Sequence, residues 1–253
     1  MEIIIFGTGG RLLAAEGLLS ADPRPALYSR LVLLPIPTSR DGERISGTDI
    51  PLSAVVDAVS GSTLAVGYAI PDELSALLRA AGAEALDLSL DEEFLTENAI
   101  LTAKGALGRI LTESAADLSD MKIGLIGYGR IGSSLLRMLL FLGARVTVLT
   151  GRREVVLTLA EAGVESCLYA ERGDLSHFDL IINTAPASIL SENDLAALLP
   201  SARIIDLASG NFLPASPAVK KLPSIPELMY PESAGRLYAR AVAKRVFSRE
   251  VPK

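Results

Sequence analysis

Tryptophan is absent from this sequence of 253 residues, and cysteine and histidine occur only once each. A single cysteine excludes an intramolecular disulfide framework and is typical of a reducing compartment, so we expect a cytoplasmic protein. One histidine and one cysteine are also too few to form a metal site with nitrogen and sulfur ligands. The sequence therefore predicts no metal site.

Long apolar runs and an excess of basic residues are missing as well. The longest segment without a charged residue is 58–71, which is shorter than the roughly 20 apolar residues needed to span a bilayer. The first residues, MEIII, lack the basic region that opens a signal peptide. The chain has 24 Lys and Arg against 30 Asp and Glu, a net charge of −6, which argues against nucleic-acid binding. Neither a membrane nor a nucleic acid is expected as a partner.

Segments typical of strands and helices alternate along the chain, as in α/β proteins with parallel sheets. We predict two doubly wound, Rossmann-like domains with an interdomain cleft. The predicted divisions are an N-terminal substrate domain at 1–97, a linker helix at 98–119, a dinucleotide-binding domain at 120–232 and a C-terminal helix at 233–253. The linker is expected to be helical over Asn98–Ser114. The C-terminal helix either closes the second domain or packs back on the first.

A G-x-G-x-x-G motif, formed by Gly127, Gly129 and Gly132, lies directly after a predicted strand and at the start of a predicted helix. In dinucleotide-binding folds these glycines allow a tight turn, a close approach of the backbone to the pyrophosphate, and close helix–strand packing. The helix N-terminus, here Arg130 and Ile131, supplies N–H donors and a positive dipole to the phosphates. The motif in this context predicts a dinucleotide site, and a packing turn without a ligand is the alternative.

The residues after the next predicted strand bear on the choice of cofactor. An NAD site usually has an acidic residue there, about 20 residues after the motif, that binds the ribose hydroxyls. This chain has Thr150, Arg152 and Arg153 at that place, and two guanidinium groups suit the 2′-phosphate of NADP. NADP is therefore favoured over NAD. The alternative is that both arginines begin a solvated helix, followed by Glu154.

A second glycine cluster, Gly7-Thr8-Gly9-Gly10-Arg11, also follows a predicted strand. Its spacing differs from the dinucleotide motif, and Arg24 and Tyr28 stand where an acidic residue would be needed. We interpret this cluster as a structural turn in the substrate domain.

Six segments share their motifs with one family. In chain order they are Leu34–Gly42, Asn98–Ala106, Gly127–Gly132, Ile182–Ala187, Ile205–Ser209 and Pro231–Gly235. Together they resemble the family of the dipicolinate synthase A subunit over most of the chain. The resemblance implies a two-domain oxidoreductase with the architecture of alanine dehydrogenase and 2-hydroxyacid dehydrogenases.

The resemblance also implies an activity and a partner. The family uses NADP to oxidise a cyclic dihydrodipicolinate-type precursor to dipicolinate in spore formation, together with a flavoprotein-like second component, the B subunit of dipicolinate synthase. The sequence departs from the family at several positions: Lys104 replaces a family Glu, and Glu232 replaces a family Lys. The segment Gly210–Pro214 replaces a glycine-rich one, and Leu222–Glu227 keeps its prolines but loses family glycines. A different substrate is therefore an open alternative.

Further cofactor-binding residues follow from the rule that ligands bind beyond the carboxyl ends of parallel strands. Asn183, Thr184 and Pro186 end one predicted strand and Ser209 follows another, so we predict that they contact the ribose and nicotinamide. His177 lies at the amino end of its strand and is expected to be structural or exposed to solvent.

Residues that bind a small carboxylate substrate are predicted in two places. Thr38 and Arg40 follow a strand of the first domain, and Arg40 is able to bind a carboxylate through two parallel hydrogen bonds, although a solvated loop charge is an equal alternative. Thr102 and Lys104 lie on the linker helix. Lys104 and Asp41 are the candidates for a catalytic role, and no general base is identified.

Two classes of function remain open at this point. The favoured one is an NADP-dependent oxidoreductase of the dipicolinate synthase type, expected as a homo-oligomer. The other is a dinucleotide-binding protein without turnover that senses or scaffolds.

Overall fold

The computed structural model describes residues 1–114 and 116–247. In chain order its elements are β1 (Glu2–Ile5), α1 (Gly10–Ser20), β2 (Arg30–Leu33), α2 (Ser53–Asp57), β3 (Thr63–Gly67), α3 (Asp72–Ala80), β4 (Glu84–Asp87), α4 (Glu92–Glu113), β5 (Lys122–Ile126), α5 (Arg130–Phe141), β6 (Arg145–Thr150), α6 (Arg153–Glu161), β7 (Ser166–Leu168), β8 (Leu180–Asn183), α7 (Glu192–Ala196), β9 (Arg203–Asp206), β10 (Val219–Lys221), α8 (Ile225–Met229) and α9 (Pro231–Val246).

The chain divides into two compact units, each built on one parallel sheet. The first unit contains Met1–Asn98 and the segment from Pro226 onwards, and the second contains Ala99–Ile225. The predicted boundaries at 97, 119 and 232 stay predictions, because compactness alone does not establish independent folding. The prediction of an α/β protein with parallel sheets is confirmed.

The sheet of the first unit has the strand order β1-β2-β3-β4 and is covered by helices on both faces. Apolar side chains of α1 and α9 pack on one face, and those of α2 and α3 pack on the other. Helices on both faces agree with the predicted doubly wound arrangement, but the order of the four described strands does not reverse as it does in a Rossmann-type sheet. The prediction of a Rossmann-like fold for this unit therefore stays a prediction. The segment between α1 and β2 contains Pro23 and Pro25. Because proline cannot donate to a strand ladder, this segment is poorly suited to an additional strand, and the described chain pairs there only through an isolated bridge between Ala26 and Phe247.

The sheet of the second unit has the order β10-β9-β8-β5-β6-β7, with all pairs parallel. Successive strands run outward from β5 to β7, and the chain then returns to β8 and continues outward on the other side. This reversal between β5 and β8 is the topological switch point of a Rossmann-type sheet. The predicted doubly wound, Rossmann-like fold is therefore confirmed for this unit.

Several elements differ from their predicted bounds. The long helix α4 begins at Glu92 rather than at Asn98, because the Asp91 carboxylate accepts a hydrogen bond from the Phe94 amide at 2.9 Å and caps the first turn. The proline-rich segment Pro214–Pro231 contains β10 and α8, which were not predicted. None of the helices in the described residues is long and apolar enough to cross a membrane.

Candidate cofactor site

The glycine motif lies at the switch point of the second sheet. It begins directly after β5, and Thr184 follows β8, the neighbouring strand. The amide and the hydroxyl of Thr184 both donate to the Ile126 carbonyl oxygen, at 2.8 and 2.9 Å. The amide of Gly127 donates to the Leu149 carbonyl oxygen of β6 at 2.8 Å. The start of the turn is thus fixed to the strands on both sides of β5.

The first and third positions of the motif require glycine, because a Cβ at either one would come too close to neighbouring atoms. Gly127 has a φ of +96°, in the region that favours glycine, and a Cβ there would lie 2.6 Å from the Thr184 hydroxyl oxygen. A Cβ on Gly132 would overlap the carbonyl oxygen of Gly127. Both positions therefore close the turn and bring α5 against it, as predicted for a dinucleotide motif.

The second glycine is different, because no described residue outside its own stretch of chain lies within 4 Å of a Cβ built on Gly129. Gly129 is the N-cap of the 12-residue helix α5, and within the described residues no side chain caps this helix end. Such a helix end offers its N–H groups and the positive end of its dipole to an anion such as a pyrophosphate. Arg130 and Ile131 begin the helix here; Arg130 is exposed and Ile131 is partly buried.

The two arginines after β6 have different surroundings. The Arg152 guanidinium Nη2 donates to the carbonyl oxygen of Tyr128 at 2.5 Å, so this side chain lies at the glycine turn. Arg153 instead pairs with Glu171 at 2.9 Å. Thr150 is buried, and its hydroxyl oxygen accepts a hydrogen bond from the Arg152 amide at 3.3 Å. Arg152 is therefore the better placed of the two for a group bound at the turn.

The carboxyl ends of β8 and β9 are joined by buried polar side chains. Asn183 donates through Nδ2 to the Asp206 carboxylate at 2.8 Å, and its Oδ1 accepts from the Ala185 amide at 3.1 Å. Asp206 also accepts from the Ala208 amide at 3.1 Å. Asn183 and Asp206 thus shape the loops that carry Pro186 and Ser209, which are both exposed. Asp206 was not among the predicted site residues, although its place within the family-like segment Ile205–Ser209 was a usable signal.

The predicted substrate residues of the first unit lie after β2. Thr38 is fully buried, and its hydroxyl oxygen accepts a hydrogen bond from the Tyr68 amide at 2.9 Å, so it holds the loop after β3. Arg40 is exposed. The Asp41 carboxylate accepts hydrogen bonds from the amides of Arg44 and Glu43, which hold its pKa below the usual value. A carboxylate with a lowered pKa is a weak proton acceptor at neutral pH, so this geometry disfavours Asp41 as a general base.

The other predicted substrate residues lie on α4. Thr102 is buried and Lys104 is exposed. The rings of His177 and Phe178 are in contact, with centroids 4.0 Å apart and an interplanar angle of 41°. His177 lines a groove with Lys122 and Arg145 at the amino ends of β5 and β6. It therefore lies at the opposite end of the sheet from the glycine turn. Within residues 1–114 and 116–247, no three or more His, Cys, Asp or Glu side chains come together in a way that would hold a metal ion.

The second unit also matches a known family. Residues 99–222 match the family described as D-isomer specific 2-hydroxyacid dehydrogenase, NAD binding domain. This match and the geometry of the glycine turn agree. The unit is a dehydrogenase-type domain for a nicotinamide dinucleotide.

Individual relatives extend the comparison beyond this unit. The chain is 27% identical over 155 residues to the A subunit of dipicolinate synthase from Bacillus subtilis (strain 168), a match that covers 58% of this chain and 52% of that protein. The crystal structure of the A chain of dipicolinate synthase from Bacillus subtilis superposes with a TM-score of 0.75 at 19% identity, over 96% of this chain and 95% of that one. The chain is a homologue of the dipicolinate synthase A subunit. The curated match spans about half of that relative's length.

Other solved structures share the fold. The dipicolinate synthase A subunit of Bacillus halodurans gives a TM-score of 0.76 at 20% identity, over 96% of this chain and 97% of that one. An L-alanine dehydrogenase gives a TM-score of 0.60 at 17% identity, over 96% of this chain and 89% of that one. The expected resemblance to the dipicolinate synthase A subunit is confirmed, and these neighbours show the same fold.

Proposed function

We propose that the protein is an NADP-dependent dehydrogenase that oxidises a cyclic dihydrodipicolinate-type precursor to dipicolinate. The observation that carries the cofactor part is the contact between Arg152 and the glycine turn. It gives a guanidinium group to a site that has no acidic residue at the place where NAD sites usually bind the ribose. The substrate part is supported by the relationship to the dipicolinate synthase A subunit.

The residues of the second unit are proposed to hold the cofactor in distinct ways. The N-terminus of α5, from Gly129 to Ile131, would bind the pyrophosphate through N–H groups. Arg152 would bind the 2′-phosphate of NADP through its guanidinium. Thr184, Pro186 and Ser209, with Asn183 and Asp206 fixing their loops, would line the ribose and nicotinamide.

The bound nicotinamide would supply the chemistry as a hydride acceptor. A dihydrodipicolinate ring loses one hydride and one proton on oxidation, and the product ring becomes aromatic. The protein then has to bind and orient the substrate carboxylates. Thr38, Arg40, Thr102 and Lys104 remain the candidates for this task, and Lys104 remains a candidate to move the proton.

The proposal extends to the setting of the reaction. From the resemblance and the composition we carry over three further proposals: a flavoprotein-like second component, a homo-oligomeric assembly, and a place in spore formation within the cytoplasm. None is needed for the binding of the cofactor.

The decisive experiment measures NADPH formation from NADP and freshly generated dihydrodipicolinate, with and without the candidate flavoprotein-like component. Formation of NADPH and dipicolinate in equal amounts is expected. If NADPH binds but no turnover occurs under either condition, a dinucleotide-binding protein without activity is the better description. If only another small carboxylate is oxidised, the dehydrogenase is kept and the substrate is corrected.

A further inference from the structure

The side chain of Arg11 is buried, although the described residues provide no hydrogen-bond partner for two of its nitrogen atoms. It lies in the first turn of α1 and is only 4% exposed, and its Nε and Nη1 atoms are buried without a hydrogen-bond partner in the described protein. A guanidinium keeps its charge in proteins, and an unpaired buried charge is strongly unfavourable. Buried polar groups are almost always hydrogen-bonded, so these two donors require a partner.

The carboxylate of Glu227 marks the surroundings of Arg11. It lies so close to Gly9 that a Cβ on this residue would overlap it. Gly9 is the N-cap of α1, a helix of 11 residues whose first turn lacks a side-chain cap among the described residues. Burial lowers the pKa of Arg11, and the negative charge of Glu227 opposes this effect without reversing it. The Glu227 carboxylate and the Arg11 guanidinium thus both lie near the start of α1. Neither Nε nor Nη1 of Arg11 is hydrogen-bonded to this carboxylate.

Tyr238 connects this cluster to the sheet. Its buried hydroxyl lies 3.1 Å from the carbonyl oxygen of Leu34 and 3.0 Å from that of Val66, and it donates its proton to this pair of acceptors. These carbonyls lie at the carboxyl ends of β2 and β3. Because Tyr238 is also close enough to Arg11 to interact with it, the cluster lies near the edge of the sheet where ligands of parallel sheets bind.

A guanidinium forms two parallel hydrogen bonds with a carboxylate, and a carboxylate side chain accepts a hydrogen bond from an ammonium or iminium group. We propose that Arg11 and Glu227 form a subsite for a cyclic α-amino or α-imino carboxylic acid. Arg11 binds the carboxylate of this ligand, and Glu227 accepts the N–H of the adjacent nitrogen. The inference rests on the proposed function, because it assigns part of the substrate to these two residues.

Glu227 also gives this subsite a preference for ligands that carry an N–H group next to the carboxylate. It lies in the segment Leu222–Glu227, where the sequence departs from the glycines of the family. A carboxylate ligand without a nearby cation would meet the repulsion of Glu227, whereas a ligand with an N–H group would be attracted. Glu227 is therefore the residue that separates these two classes of ligand.

Two probe molecules test the proposal directly. Pipecolate is a six-membered ring with a carboxylate next to a ring ammonium, and cyclohexanecarboxylate is the same ring without nitrogen. Their binding is measured by calorimetry, without cofactor and again with saturating NADPH. The whole chain is expected to bind pipecolate at least about tenfold more tightly, in line with one charge-assisted hydrogen bond.

Substitutions separate the two roles. Arg11→Met is expected to weaken both probes by about tenfold or more, and Glu227→Gln is expected to remove most of the preference while leaving cyclohexanecarboxylate equal or tighter. Arg79→Met and Glu73→Gln, on the exposed side of α3, are the matched controls and should change neither affinity. If Arg11→Met does not fold, Glu227→Gln alone decides the question through the ratio of the two affinities.

Two results would overturn the subsite: equal affinity of the whole chain for both probes, or unchanged binding of both by Arg11→Met. NADPH affinity is measured in the same samples and should not change in either variant. If NADPH does not bind to any form while the probe pattern holds, the proposed function fails and the subsite stands.

Discussion

The Arg152 guanidinium donates to the Tyr128 carbonyl oxygen at 2.5 Å and so joins the loop after β6 to the middle of the glycine turn. One side chain thereby connects the two loops that meet the opposite ends of an adenosine diphosphate group in a Rossmann-type site. The neighbouring Arg153 points elsewhere and pairs with Glu171.

Arg152→Ala is expected to weaken NADPH binding by about 10- to 100-fold, because one or two charge-assisted hydrogen bonds to the 2′-phosphate are lost. NADH binding should change by less than about threefold. Fluorescence titration with both dinucleotides measures the ratio, and Arg153→Ala is the control, with a smaller effect expected. Equal losses for NADH and NADPH would mean that Arg152 only positions the turn.

Two glycine substitutions should separate cofactor binding from stability. Gly129→Ala adds a methyl group in open space, so the free energy of unfolding should fall by less than about 1 kcal/mol, while NADPH affinity falls at least about tenfold because the backbone can no longer approach the pyrophosphate. Gly132→Ala overlaps a backbone carbonyl and should lower the free energy of unfolding by about 1–3 kcal/mol. Urea unfolding and calorimetric titration measure both quantities. Wild-type affinity of the folded Gly129→Ala variant would argue against a pyrophosphate at this turn.

Asp194 should make part of the stability depend on pH. Burial raises the pKa of its carboxyl, but hydrogen bonds from Ser191 and the pairing with Arg172 at 2.8 Å outweigh this and lower it overall. Because the pKa is lower in the folded state, the stabilisation is complete above the unfolded pKa of about 3.9 and is lost as the pH falls through the folded value.

Asp194→Asn should therefore lower the free energy of unfolding by about 1 kcal/mol at pH 7, and the difference from wild type should shrink below about pH 4. Urea unfolding from pH 7 to pH 3 measures it. Glu192→Gln, an exposed neighbour in the first turn of α7, should show little difference at any pH. A difference for Asp194→Asn that stays constant with pH would refute the role of the charge.

Local sequence signals were sufficient for the centre of the second sheet. The strand over Lys122–Ile126 is apolar and ends at a glycine, so its bounds agree with prediction. The edge strands β7 and β10 were missed because each has only three residues and none of these is fully buried. Short strands at an edge are stabilised by one neighbouring strand and leave little periodicity in the sequence.

The candidate site was predictable to the extent that it is contiguous in the chain. The three glycines and Arg152 follow strands directly and were found in this way. The relation of Arg11 to Glu227 was not predictable, because it joins residues from opposite ends of the chain through the packing of α1 on the C-terminal segment. The first glycine turn was interpreted as structural, since its spacing carried no dinucleotide signal.

The packing of α1 on α9 has a consequence for synthesis on the ribosome. Gly10 and Gly235 lie at the crossing, where a Cβ on Gly10 would come within 2.9 Å of Pro231 and one on Gly235 would overlap the Cβ of Ala14. The first unit therefore completes its core only with residues that are translated after the second unit. The intervening unit, Ala99–Ile225, emerges as one uninterrupted stretch and is able to fold first. We expect the nascent N-terminal segment to wait with an apolar face exposed, which makes it the part of the chain that most needs protection by chaperones.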